Sequence, residues 1–233
     1  MKKNKLIIIG IIITILIDYL ASTYGSLIDL KIDFFPRRSF GLHTIMLLLS
    51  ILAIYLFKKY VDYRIELPKF KTLLKPIGFG LLVSLLSTML MGIAMNIAGV
   101  ESQDIKMPTS NLSILQIIIF VFLYSSIAEE MLFRGFLLNI LKPIREKGIS
   151  LFNRKVSLGV IISAIMFGLI HIIPFNSDNN MIFTIGMFIS PTILGIFAGY
   201  YQEKFDNNAY AIIVHMSGNL MGIIGTIVMT LNS

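Results

Sequence analysis

The sequence predicts an all-α fold: a polytopic bundle of about seven transmembrane helices, with the N-terminus in and the C-terminus out. Three observations predict it. The 233 residues are 56% hydrophobic and only 14% charged, against roughly 25% charged in a soluble domain. Apolar runs recur from Leu6 to Leu231 with short polar gaps, which leaves no room for a separate soluble domain. Lysine and arginine collect in alternate gaps.

A helix needs about 20 mostly apolar residues to cross roughly 30 Å of hydrocarbon. The first such run, about Leu6 to Ala21, follows Lys2, Lys3 and Lys5 in the manner of a signal peptide. It continues through Asp18 without a clear small-residue cleavage site, so it is read as a retained span. The second runs from about Gly41 to Phe57 and the third from Ile77 to Val100, separated by the basic stretch Lys58 to Lys75. The fourth, Leu112 to Leu141, contains Glu129, Glu130 and Arg134. A second basic stretch, Lys142 to Lys155, leads to the fifth, Val156 to Ile173. Both basic stretches mix cations with aromatic and aliphatic residues and are expected to lie along the cytoplasmic interface. The sixth, Met181 to Tyr201, carries Gly195 and Gly199, and the last runs from Ala209 to Leu231. The chain divides into N-terminal helices with a basic loop, 1–111, and a catalytic helical core, 112–233, within one integral domain.

Placing the N-terminus inside puts fifteen of the 20 lysines and arginines in cytoplasmic gaps. Lys31, Arg37, Arg38 and Lys106 fall outside, and Arg134 lies within a span. This is the bias expected of a multi-pass protein of the cell membrane. The net charge of +7 is distributed among these gaps, so it points to anionic membrane lipids and not to nucleic acid. Cysteine is absent, so any nucleophile or ligand is oxygen or imidazole. No internal repeat supports a two-half transporter.

Ionisable groups inside a span are costly unless paired or hydrated, and they mark functional sites. The candidates are Glu129, Glu130 and Arg134 on the fourth span, His171 on the fifth, His215 and Asn219 on the last, and Asp18 on the first. Residues four apart share a helix face, as Glu130 and Arg134, Phe167 and His171, and His215 and Asn219 do. At the α-helical rise, Glu129 lies ~18 Å and His171 ~22 Å from the cytoplasmic ends, with His215 at ~9 Å and Asn219 at ~15 Å. His215 is therefore expected more than a turn shallower than the two strongest groups.

Chemistry sorts these residues into roles. Arg134 neutralises Glu130 across one turn, which leaves Glu129, about 100° round the helix, as the candidate general base. His171 beside it helps to position and deprotonate a water. His215 and Asn219 present N–H donors to a developing oxyanion. A rival assignment makes His171, His215 and a carboxylate the ligands of a zinc ion.

The string Ala128-Glu129-Glu130-Met131-Leu132-Phe133-Arg134-Gly135-Phe136, the Phe-x-x-x-His of Phe167 to His171 and the His-x-x-x-Asn of His215 to Asn219 resemble the CPBP family of intramembrane proteases. This is the CAAX protease and bacteriocin-processing, or ABI, family, which includes the Ras-converting CAAX endopeptidases. The resemblance covers about Ile114 to Gly222. It implies that Glu129 and His171 activate water, that His215 and Asn219 stabilise the oxyanion, and that Glu130 and Arg134 support the first motif, with zinc as an uncertain cofactor. The resemblance does not carry over a substrate; a membrane-associated peptide or protein is expected, and the richness in Ile, Lys and Asn suggests a bacterial plasma membrane. The alternative class is a non-catalytic bacteriocin-immunity or scaffold protein, which needs no chemistry at Glu129.

Overall fold

The computed structural model describes residues 3–28, 30–100, 112–151, 154–172 and 180–231. Seven helices follow in the expected order among the described residues. They are α1 (Lys3–Tyr24), α2 (Arg37–Leu56), α3 (Leu74–Ile97), α4 (Ile114–Leu138), α5 (Leu158–Ile172), α6 (Met181–Phe205) and α7 (Asn208–Leu231). Among the described residues, α1, α2, α3, α4 and α6 are long and apolar enough to cross a membrane. The described α5 has 15 residues, about 22 Å by helical rise.

The distribution of side chains is that of a protein dissolved in lipid. Ile8, Ile12, Leu48, Ile51, Leu86 and Leu90 are exposed, while Glu129, Glu130, Arg134 and His215 are buried. In water this arrangement would be doubly unfavourable. Against hydrocarbon the exposed aliphatics cost nothing, and the interior is where polar groups find partners.

Helix α4 is the central element. Leu132, Phe133, Phe136, Leu137 and Ile140 pack with Leu6, Ile17 and Ala21 of α1 and Met46 and Ala53 of α2 in one buried cluster. Its winding changes along its length. Residues Ile117–Ser125 and Met131–Leu138 are π-helical and flank an α-helical segment, Ser126–Glu130. π-helical turns inside helices accompany functional sites, and here the segment between them carries Glu129 and Glu130.

One end of the bundle gathers the basic gaps. Asp62 lies 3.2 Å from Lys142 and Arg64 lies 3.2 Å from Asp206. Asn207 joins the segment before α3 to the α6–α7 turn: its amide donates to Glu66 O at 3.0 Å, and its Oδ1 accepts from Glu66 N–H at 3.1 Å. The start of α1 is at the same end, since a Cβ on Gly10 would collide with Ile140. The gaps assigned to the cytoplasm from charge are thus neighbours in space.

The stretch after Lys142 contains a feature that the apolar pattern did not predict. Gly148–Leu151 and Arg154–Ser157 pair as antiparallel strands β1 and β2, with Ile149 opposite Val156. The fifth helix consequently starts at Leu158, not Val156. Ser157 accepts the Val160 N–H at 3.0 Å and gives its hydroxyl hydrogen to Glu203 at 2.9 Å, which stops the helix one residue before Leu158. The glycines of the sixth span serve close packing within the bundle: Cβ atoms on Gly195 and Gly199 would lie 3.2 and 3.1 Å from Ala164 and Val160 of α5.

Candidate active site

Four helices bring polar side chains to one place inside the bundle. Glu129 on α4 is at its centre. Its Oε2 is 3.8 Å from His171 Nε2 on α5 and 4.0 Å from His215 Nε2 on α7. Its Oε1 is 3.2 Å from Nε2 of His43 on α2. Glu129 Oε2 is buried and has no hydrogen-bond partner among the described residues.

Glu130, one position on, faces a different set. Its Oε1 accepts from Arg134 Nη1 at 2.9 Å and from His215 Nδ1 at 2.9 Å. Glu130 and Arg134 are both fully buried. The i, i+4 pair expected from the sequence is present, and it also holds His215. Phe167 packs among these groups, with its ring centroid 4.7 Å from that of His171, 5.3 Å from that of His215 and 4.6 Å from the Arg134 guanidinium. It supplies an aromatic wall that keeps both imidazoles in place and a face for the cation.

His215 is level with Glu129, not more than a turn shallower. The depth estimate took 1.5 Å per residue along the whole of α4, but Met131–Leu138 is π-helical. Its i→i+5 winding places more residues in each turn, which removes roughly a third of the ~9 Å difference, and helix tilt and the positions of the helix ends account for the rest.

The tautomers follow from the partners. His171 Nδ1 is 2.8 Å from Phe167 O and His43 Nδ1 is 2.7 Å from Ser39 O. A carbonyl oxygen only accepts, so both Nδ1 atoms carry hydrogen. His215 Nδ1 likewise gives its hydrogen to Glu130. All three Nε2 atoms therefore turn toward Glu129. Nε2 of His43 is within hydrogen-bond distance of Glu129 Oε1, at 3.2 Å.

Asn219 lies on the same α7 face but is already engaged. Its amide donates to Val121 O at 3.2 Å and to Ser126 Oγ at 3.0 Å. Val121 lies within the first π-helical segment and Ser126 begins the α-helical one. Asn219 thus ties α7 to α4 one turn from Glu129. Asp18 is buried on α1.

His43 is the residue that sequence reasoning missed. It is a lone imidazole inside the second expected span, and Ser39-x-x-x-His43 has the spacing that singled out Phe167-x-x-x-His171. Applying the same rule to the second span finds it.

The zinc alternative needs three ligands at metal-bonding distance from one point. The imidazoles have suitable chemistry, since each Nδ1 is held by an oxygen acceptor as in many metal-binding histidines. Among the described residues no group of three or more His, Asp or Glu side chains is arranged to hold an ion. No step below is derived through a metal.

These residues, apart from His43, fall within one stretch that matches a family model, Rce1-like, described as type II CAAX prenyl endopeptidase, over residues 111–221. That segment is Rce1-like. The match agrees with the resemblance carried by the Glu-Glu-x-x-x-Arg, Phe-x-x-x-His and His-x-x-x-Asn motifs, and α1, α2 and α3 lie outside it. The matched segment is similar to CAAX prenyl endopeptidases, and it lies in a chain with five helices, among the described residues, long and apolar enough to cross a membrane. No curated protein and no solved structure matches the chain.

Proposed function

We propose that the protein is an intramembrane endopeptidase that hydrolyses a peptide bond of a membrane-associated peptide or protein. The observation that carries this reading is the direction of Glu129 Oε2, which faces His171 Nε2 at 3.8 Å and His215 Nε2 at 4.0 Å. A water bound there meets a carboxylate able to take its proton and an imidazole able to orient it.

In this reading Glu129 takes a proton from water as the water oxygen attacks the scissile carbonyl. The tetrahedral oxyanion forms, and Glu129 returns the proton to the leaving nitrogen as the C–N bond breaks. His171, fixed by its bond to Phe167 O, orients the water. His215, held through Nδ1 by Glu130 at 2.9 Å, turns its Nε2 edge toward the place where the oxyanion forms. Asn219 is the second donor once one of its bonds to Val121 O or Ser126 Oγ is released. Glu130, Arg134 and Phe167 hold this arrangement. The partners are membrane lipids and the substrate, and the location is a bacterial plasma membrane.

Comparative membrane proteomics of wild-type and Glu129→Ala cells tests the reading. Peptide or protein ends that require Glu129 are expected. Identical end profiles would overturn hydrolysis and favour the non-catalytic immunity or scaffold reading.

A further inference from the structure

We infer that His43, outside the Rce1-like segment, is a positioning residue that fixes the Glu129 carboxylate through Oε1 and so leaves Oε2 as the oxygen that handles the proton. The inference rests on the reading of Glu129 as the general base.

A carboxylate on a two-carbon stem rotates freely unless an oxygen is held. Of the two Glu129 oxygens, Oε1 has the His43 contact at 3.2 Å and Oε2 has no hydrogen-bond partner among the described residues. The imidazole is itself fixed at both ends. Its Nδ1 lies 2.7 Å from Ser39 O, one turn back on the same helix, so the ring cannot flip without losing that bond.

The first turns of α2 are in turn fastened to α4. Thr44, beside His43, shares a hydrogen bond of 2.7 Å with Tyr124 OH and donates to Phe40 O at 2.7 Å. Phe40 stacks on Tyr124 with centroids 5.8 Å apart and meets Phe120 edge-on at 5.9 Å. Tyr124 is five residues before Glu129 on the same helix. Ser39 O, His43 and Glu129 Oε1 therefore form a chain whose two ends are locked together by an independent contact. A base held in this way is already oriented before substrate arrives, and a misplacement of about 1 Å costs as much as ~10²-fold in rate.

Two substitutions separate positioning from packing. His43→Gln places an amide N–H near the position of Nε2 and keeps a donor to Glu129. His43→Asn keeps a donor near Nδ1 for Ser39 O but does not reach Glu129. The substrate is defined first as the set of ends that wild-type cells make and Glu129→Gln cells do not. A peptide spanning one such cut site then serves for kinetics with the full-length protein in nanodiscs. His43→Asn is expected to lower kcat by ~10²-fold with KM little changed, and His43→Gln to recover at least tenfold of that loss. Wild-type kcat in His43→Asn, with Glu129→Gln inactive, would overturn the positioning role and leave the hydrolase reading intact. Equal loss in both His43 variants, together with a lower thermal midpoint, would assign His43 to packing and also overturn it. If no end depends on Glu129, the hydrolase reading fails first and the inference falls with it.

Discussion

His215 Nδ1 lies 2.9 Å from Glu130 Oε1, the same oxygen that Arg134 Nη1 reaches at 2.9 Å. One carboxylate therefore holds both the cation of its own helix and the imidazole of α7. The adjacent Glu129 meets the other face of His215 at 4.0 Å. Two neighbouring glutamates thus grip one histidine from opposite sides, one through Nδ1 and the other across the site.

The two glutamates are expected to respond differently to the same change. Glu130→Gln removes the charge that matches a fully buried Arg134 and weakens the hold on His215. Breaking a buried ion pair from one side costs about 3–5 kcal/mol. Differential scanning of the purified variant should show a clear fall in thermal midpoint and reduced membrane abundance. An unchanged midpoint would mean that Arg134 has another partner for its charge.

Gly195 makes room for that same guanidinium. A Cβ there would lie 2.5 Å from Arg134 Nη2 and 3.2 Å from Ala164, in a region with no slack. Gly195→Ala is expected to destabilise by about 1–3 kcal/mol through overpacking. Gly78 on α3 has nothing within 4 Å of an added Cβ, so Gly78→Ala should be neutral or stabilising by up to ~1 kcal/mol. Thermal midpoints of the two variants measured side by side check the contrast.

The end that gathers the basic gaps carries a weak dependence on acid. A hydrogen bond from Lys142, followed by the charges of Lys142 and Arg64, holds the Asp62 carboxyl below its ordinary value of 3.8. A carboxyl depressed in the folded protein contributes stability above its unfolded value and loses it as pH falls through the folded one. The difference in thermal midpoint between wild type and Asp62→Asn should therefore be constant from neutral pH down to about 5. It should shrink as the pH passes below 3.8, and at any pH it should be reduced by salt, because the pair is exposed. A difference that grows on acidification would reverse the assignment.

Much of this arrangement was legible in the sequence, because hydrocarbon imposes simple rules. Apolar length placed all seven helices within a few residues, and charge bias grouped the gaps that Arg64, Lys142 and Asp206 join in space. Spacing of four residues identified Glu130 with Arg134 and picked out His171 and His215. Three features were not legible. The π-helical winding of α4 on either side of Glu129 does not show, because helical periodicity assumes α geometry. The β1–β2 pairing depends on a four-residue register too short to show against apolar flanks. Asn219 was read as a free donor, but it is engaged by a backbone carbonyl and a serine of another helix, contacts that spacing within α7 does not reveal. His43 was legible by the spacing rule itself and was passed over because its helix lies outside the family motifs.

The most direct test of the central claim is the turnover of Glu129→Gln on a peptide spanning a Glu129-dependent cut site. The substitution keeps the shape of the side chain and its contact with His43 while removing proton acceptance at Oε2. With the thermal midpoint near that of wild type, the account predicts a loss of ~10²–10⁴-fold in kcat, the size of a general-base contribution. Turnover by Glu129→Gln at the wild-type rate would contradict it.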